Sequence, residues 1–174
     1  MTVYELVLSY LSPLRYAKKI GVSLGKNCRI LGRTDFGTEP YLIELGDHVC
    51  LGGRGTTFIT HEGAHWVLKG KDSKYNDTFG YGRIIVKDNV YIGSGTTILR
   101  GVTIGENVIV GACSLVNKSL PANAVYAGVP AKRICSLEEW ERKFMEDMPA
   151  YDKENYRKNK KDEVLKIVDQ FRKR

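Results

Sequence analysis

Taken every sixth residue from Val86, the chain reads Val86, Ile92, Ile98, Ile104, Val110 and Val116, six β-branched aliphatics in succession. Four residues beyond each lie Val90, Thr96, Val102, Val108, Ser114 and Leu120, mostly small or β-branched. One residue beyond lie Lys87, Gly93, Leu99, Gly105, Gly111 and Asn117, where Gly and Asn recur. The same ruler fits Leu24 and Ile30 with Cys28 and Thr34, then Leu45 and Leu51 with Val49 and Gly55. A period of six suits neither a helix of 3.6 residues per turn nor a two-faced strand. It suits short strands that each bury one aliphatic, turn a corner at a Gly or Asn tolerant of positive φ, and begin again. Three such faces close a coil of about 18 residues, and coils stacked at the ~4.8 Å strand spacing set aliphatic on aliphatic.

The ruler breaks twice. Its phase is lost from Thr57 to Ile85, and a smaller break falls between Ile30 and Leu45 in FGTEPYLIEL. Insertions in a solenoid become loops extruded from one face, often the binding face. The larger one, residues 61–83, holds His61, His65, Trp66, Tyr81 and several Lys/Arg. Outside the ruler, Tyr4 to Lys19 has apolar residues at helical spacing interrupted by Pro13, which predicts a short helical cap over residues 1–19. Residues 20–135 form the coiled body, and 136–174 a helical extension. There Ser136-Leu137-Glu138-Glu139 reads as a capping box opening a helix through about Met145. Val164, Leu165, Ile167, Val168 and Phe171 mark an amphipathic helix over 160–173, with the basic run Arg157 to Lys161 as a solvated hinge.

The segment IGSGTTILRGVTIGENVIVGACSLVNKSLPANAVYAGVPAKRI, with its close AGVPAK at residues 127–132, resembles the hexapeptide-repeat acyltransferases. Within them it is similar to the sugar and xenobiotic O-acetyltransferases, including galactoside, maltose and surface-polysaccharide acetyltransferases. The resemblance implies an all-β body folded as a left-handed parallel β-helix, and a homotrimer with active sites between neighbouring chains. It implies acetyl-CoA as co-substrate and a sugar or glycan hydroxyl as acceptor, with no metal.

An alcohol is a poor nucleophile at neutral pH, so transfer to a hydroxyl needs a general base, and histidine is suited to that task. No GxSxG elbow is present, so a covalent acyl-enzyme is not indicated. The relatives place a catalytic histidine where the chain leaves the coil for the loop, and Phe58-Ile59-Thr60-His61 occupies that place. Glu62 follows where Asp is common. Glu39, in Glu39-Pro40-Tyr41-Leu42, could orient His61, bind the acceptor, or cap the turn before Pro40; Asp35 is an alternative orienting carboxylate. Tyr41, His65 and Tyr81 join Glu39 as acceptor-binding candidates, and His65 is an alternative base. The resemblance assigns the oxyanion donor to Ser94. It assigns CoA contacts to Tyr91, Ser94, Ala112, Asn117, Lys118, Lys132 and Arg133, leaving open which basic residue meets phosphate and whether Tyr91 is a structural aromatic instead.

Composition adds limits. Of 174 residues, 27 are Lys or Arg and 20 Asp or Glu, a net charge of +7, of which residues 1–135 carry +6. That is weak support for nucleic acid and suits a polyphosphate ligand. No stretch approaches the ~20 apolar residues of a membrane-spanning helix. The segment Met1 to Tyr10 lacks a leading basic region and cleavage site, which argues against a secretory signal. Cys28, Cys50, Cys113 and Cys135 show no CxxC pair and read as small buried hydrophobes in a reducing compartment, hence a cytoplasmic protein. Three histidines, His48, His61 and His65, leave room for a zinc lyase like the γ-type carbonic anhydrases. An antibiotic or free-sugar acetyltransferase is the nearer alternative. A catalytically dead scaffold would have no reason to keep the histidine and the loop.

Overall fold

A computed structural model of the chain describes residues 2–53 and 55–171. Short strands fall in rotation onto three sheets. The first stacks Ser23–Leu24, Ile43–Leu45, Ile84–Val86 and Thr103–Ile104; the second stacks Arg29–Ile30, Cys50–Leu51, Val90–Ile92, Val108–Val110 and Ala124–Ala127; the third stacks Thr57–Ile59, Thr97–Leu99 and Leu115–Val116. All these pairings are parallel, as a β-helix requires. Val86 lies beside Ile104, Ile92 beside Val110 and Ile98 beside Val116, each a step of 18 residues. The body is β-rich, with its strands in parallel sheets, and helices accompany it, one of them within the body. These are α1 (Val3–Leu11), α2 (Pro13–Lys19), α3 (His65–Lys71), α4 (Leu137–Asp147), α5 (Lys153–Lys158) and α6 (Lys160–Phe171).

The six aliphatics of the ruler are at most 1% exposed, and the residues four beyond them are buried as well. Each coil therefore contributes two inward positions per face, which stack into one continuous core. Two details depart from expectation. The ruler slips by one residue after Leu51, so the inward position is Thr56 rather than the exposed Gly55. The corners also divide their labour differently. Left-handed φ falls three residues after the core aliphatic, at Asn27, His48, Asn89, Asn107 and Cys113. Gly93 and Gly105 are instead required by proximity: a Cβ on Gly93 would strike the Ala112 backbone, and one on Gly105 would lie 2.6 Å from Ala122 N. At one corner the side chains form a ladder, Asn89 Nδ2 donating to Asn107 Oδ1 (2.7 Å) and Asn107 Nδ2 to Asn123 Oδ1 (2.9 Å).

The body closes with a strand that the hexad pattern does not predict. Lys132–Ser136 turns back to pair antiparallel with Ala124–Ala127. Pro13 divides the cap into two short helices, opening α2, with Ser12 between α1 and α2. Ala17 of α2 is fully buried in the core cluster. The chain divides into two compact units after Glu138. In the second unit α4 runs two residues past the expected Met145, and the expected basic hinge shrinks to Asn159, since its neighbours are helical. The last part of the helix expected over 160–173 lies outside the described residues. The four cysteines are free thiols, but they are not uniformly buried: Cys28 is, Cys50 and Cys135 are half-buried, and Cys113 is exposed.

Candidate active site

The strand Thr57–Ile59 buries Phe58 and is followed by buried Thr60, so alternation turns His61 outward at the point where the chain leaves the coil. The insertion departs and returns as a short antiparallel clasp. His61 faces Tyr81 across an isolated bridge, Glu62 N–H donates to Gly80 O (2.7 Å), and Gly82 N–H donates to Thr60 O (2.9 Å). Between these ends the loop is structured, holding α3 and the 3-10 turn Ser73–Tyr75.

The smaller insertion delivers Glu39 to the same place. Its Oε2 lies 3.0 Å from His61 Nδ1 and accepts from the Thr60 hydroxyl (2.7 Å); its Oε1 accepts from the Thr38 hydroxyl (2.6 Å). Both carboxylate oxygens are thus engaged, and the Glu39 side chain is only 14% exposed, against 43% for His61. The Thr38 hydroxyl, then those of Thr60 and the His61 ring, hold the Glu39 carboxyl below its ordinary pKa. An ionised Glu39 can only accept, so Nδ1 of His61 carries a hydrogen, which in the neutral ring leaves the lone pair on Nε2. Among the described residues Nε2 has no hydrogen-bond partner.

Glu39, His61, Glu62, His65, Phe79 and Tyr81 line a cleft of about 250 Å³. His65 Nδ1 bonds the Glu62 carbonyl. Glu62 accepts from Ala64 N–H (2.9 Å) and lies 3.5 Å from Arg100, which stands after the strand beside Thr57–Ile59. The Ala64 N–H and then Arg100 lower the Glu62 carboxyl below its usual pKa. Phe79 and Tyr81 set their rings 5.6 Å apart. An acid–base pair beside two exposed aromatic faces can deprotonate a hydroxyl whose carbon skeleton rests on a ring.

The structure thus brings Glu39, His61, His65 and Tyr81 together. Asp35 is elsewhere engaged: its carboxylate accepts from Gly37 N–H (2.9 Å), and its backbone bridges to Thr57. Tyr41 is 65% exposed, sits against Gly21, and does not line the cleft. Tyr91 lines a second cavity, of about 300 Å³, with His48, Cys50 and Asn89. Ser94 and Ala112 are on stacked corners of the coil, where the Ser94 carbonyl accepts from Cys113 N–H (2.8 Å). Asn117 and Lys118 follow Leu115–Val116, which bonds to Gly128 and Ala131; exposed Lys132 and Arg133 begin the closing strand from that turn. Thr38, Thr60, Phe79 and Arg100 were not singled out by the sequence. Thr60 alone carried a signal, as an inward position directly before His61.

The three histidines do not converge. His48 is a corner residue at φ 56° on the second cavity, while His61 and His65 share the first. Among the described residues no group of three or more His, Cys, Asp or Glu is placed to hold a metal ion. Among them, too, no helix is long and apolar enough to cross a membrane.

Comparison with known proteins places this geometry. Residues 83–118 match the bacterial transferase hexapeptide (six repeats) family. Protein CapG of Staphylococcus aureus is 43% identical over 145 residues, covering 82% of each chain. WcaF of Escherichia coli (strain K12), which carries a provisional name as a colanic acid biosynthesis acetyltransferase, is 32% identical over 123 residues, covering 64% of this chain and 67% of its own. A solved galactoside acetyltransferase in complex with coenzyme A superposes with a TM-score of 0.54 at 24% identity, over 80% of this chain and 78% of that one, a likeness of fold. With the 18-residue coils and the extruded histidine loop, the match to CapG over four-fifths of both chains shows that this chain belongs to the hexapeptide-repeat acyltransferases.

Proposed function

We propose that the chain is an acetyl-CoA-dependent O-acetyltransferase that modifies a sugar hydroxyl during surface-polysaccharide assembly, on a left-handed β-helix and as a homotrimer. The observation that carries this reading is the Glu39–His61 pair, with the carboxylate held on both oxygens and His61 lining the cleft. His61 Nε2 takes the proton of the acceptor hydroxyl as its oxygen attacks the thioester carbonyl. The tetrahedral intermediate places its negative charge on the former carbonyl oxygen, and a backbone N–H at Ser94 is the proposed donor to it. The C–S bond then breaks, and the imidazolium returns its proton to the departing CoA thiolate. Glu39 stays ionised throughout and stabilises the imidazolium while it exists.

Acetyl-CoA brings a pyrophosphate and a 3′-phosphate. Exposed Lys118, Lys132 and Arg133 on the last coil and closing strand have the chemistry to meet them. Tyr91, Ala112 and Asn117 line the proposed path of the pantetheine arm. Phe79 and Tyr81 offer faces for a pyranose ring, with His65 and Glu62 for its hydroxyls. The name that WcaF carries and the Glu39-Pro40-Tyr41-Leu42 segment favour a polysaccharide precursor over an antibiotic. Free thiols and the demand for acetyl-CoA suit the cytoplasm. Radiolabelled acetyl-CoA offered with a panel of sugar acceptors tests the assignment. Transfer is expected to fall by roughly 10²–10⁴-fold in His61→Ala. Transfer undiminished in that variant with every acceptor would overturn it.

A further inference from the structure

Helix α1 is inverted relative to a helix packed against a core. Its buried residue is polar Ser9, whose hydroxyl donates back to the Leu6 carbonyl (2.7 Å). Val3, Tyr4, Val7, Tyr10 and Leu11 are exposed, Val3 and Leu11 at 81% each. These residues recur at three- and four-residue steps, so they share one outward face. A contiguous exposed apolar face marks a contact site.

Cations rim that face. The Lys19 ammonium lies 4.6 Å from the centroid of the Tyr4 ring, and the Arg33 guanidinium 5.9 Å from that of Tyr10. Arg15 and Lys18 are exposed on α2, and Lys26 and Arg29 on the first coil. The first 34 residues hold these six Lys/Arg against one acidic residue, Glu5, which is already bonded to Lys19 and Thr2. The next four carboxylates in the chain are engaged by other groups, Asp35 by Gly37 N–H, Glu39 by Thr38, Thr60 and His61, Glu44 by Arg83 and Asp47 by Lys26 N–H. Six basic residues less one acidic gives the first 34 residues a net +5 of the chain's +7, on the segment that carries the apolar helix.

We propose that this end of the molecule seats on an anionic lipid bilayer. The outer face of α1 enters the boundary between headgroups and acyl chains, and the surrounding Lys and Arg lie against lipid phosphates. Nine residues of helix cannot span a bilayer, so the contact is interfacial and reversible. Charge selects this occupant over a two-fold contact of α1 with α1, which would set the two cationic rims against each other; a heterologous contact within a ring is an outcome of the lipid-free assembly measurement.

Vesicle sedimentation of the full chain tests the proposal. In about 0.1 M salt the protein is expected to sediment with phosphatidylcholine vesicles containing ~30 mol% phosphatidylglycerol, with at least roughly tenfold weaker binding to pure phosphatidylcholine. Raising salt to about 0.5 M should release it. Val7→Ser with Leu11→Ser, and separately Arg15→Gln with Lys18→Gln, should each weaken binding about tenfold. These side chains are exposed, and circular dichroism of each variant checks that it folds. The lipid-charge and salt series on the unmodified protein needs no variant at all. Absence of binding to either vesicle overturns the proposal, as does binding indifferent to lipid charge. If the Val7/Leu11 variant instead falls to a smaller assembly in lipid-free solution, a second copy covers the face and the proposal fails.

Discussion

Glu39 is placed to do more than lean on a histidine. With Oε1 taken by Thr38 and Oε2 shared by Thr60 and His61, its carboxylate has little rotational freedom, so the imidazole is held in one plane and one tautomer. Removing the Thr38 methyl by Thr38→Ser should leave turnover near normal, whereas Thr38→Val should lower kcat about tenfold with KM for acetyl-CoA unchanged. Steady-state kinetics of the two variants separate a positioning hydroxyl from a merely space-filling one. The same contacts make a pH prediction. Glu39 has a folded pKa below its ordinary 4.5, so its stabilising contribution is fully present above that value and is lost as pH falls through the folded pKa. Urea midpoints of wild type and Glu39→Gln should therefore differ most above about pH 4.5 and converge in stronger acid. At this scale the sequence told half the story. A histidine at the loop root and a carboxylate in the neighbouring insertion could both be found by position. The choice of Glu39 over Asp35 could not, because it depends on Asp35 closing its own turn with Gly37. Thr38 was invisible because a hydroxyl carries no spacing signature, and the inward position of Thr60 did not reveal its bond to Glu39.

The coil is the element that makes the site possible, since it stacks insertions from different turns beside one another. Its period was legible because most inward positions are small or β-branched to fit a narrow core, with Leu and Phe at a few, a constraint that repeats with the geometry. The slip at Gly55 and the closing antiparallel strand were not legible, because a single extra corner residue or a reversal leaves hydrophobic spacing almost unchanged. Corner chemistry was misassigned for a similar reason. Glycine serves both positive φ and close approach, and only coordinates distinguish the two. That distinction is testable. Asn107 sits at φ 56° and bonds along the ladder in both directions, so Asn107→Ala should destabilise more than Asn107→Gly, by about 1 kcal/mol in urea unfolding. Phe58, at 1% exposure and stacked 5.5 Å from Phe36, anchors the coil from which His61 departs. Phe58→Ala should cost roughly 3–5 kcal/mol by the same measurement, and with it the alignment of the loop root.

At the scale of the whole molecule, the cleft is bordered by exposed side chains. His61 is 43% exposed, and the loop presents Trp66 at 77%, Val67 at 73% and Phe79 at 73% to its surroundings. Side chains of that size on a loop that carries the base are poorly explained by a lone chain and well explained by a neighbour. In the proposed cyclic trimer, of three times the chain's 19.6 kDa, the loop of one chain faces the coils of the next. Sharing of this kind predicts complementation. His61→Ala lacks the base but keeps the proposed CoA wall; Lys132→Ala with Arg133→Ala weakens the wall but keeps the base. Co-expressed in equal amounts and assembled at random, the two form rings of which about three-quarters are hybrid, each with one cleft in three that joins an intact loop to an intact wall, or about a quarter of all clefts. Acetyl transfer in the mixture should then rise well above that of either variant alone, towards about a quarter of wild type. If every chain instead completed its own site, no combination of these two defects could restore one, and mixing would return only the average of the two residual activities.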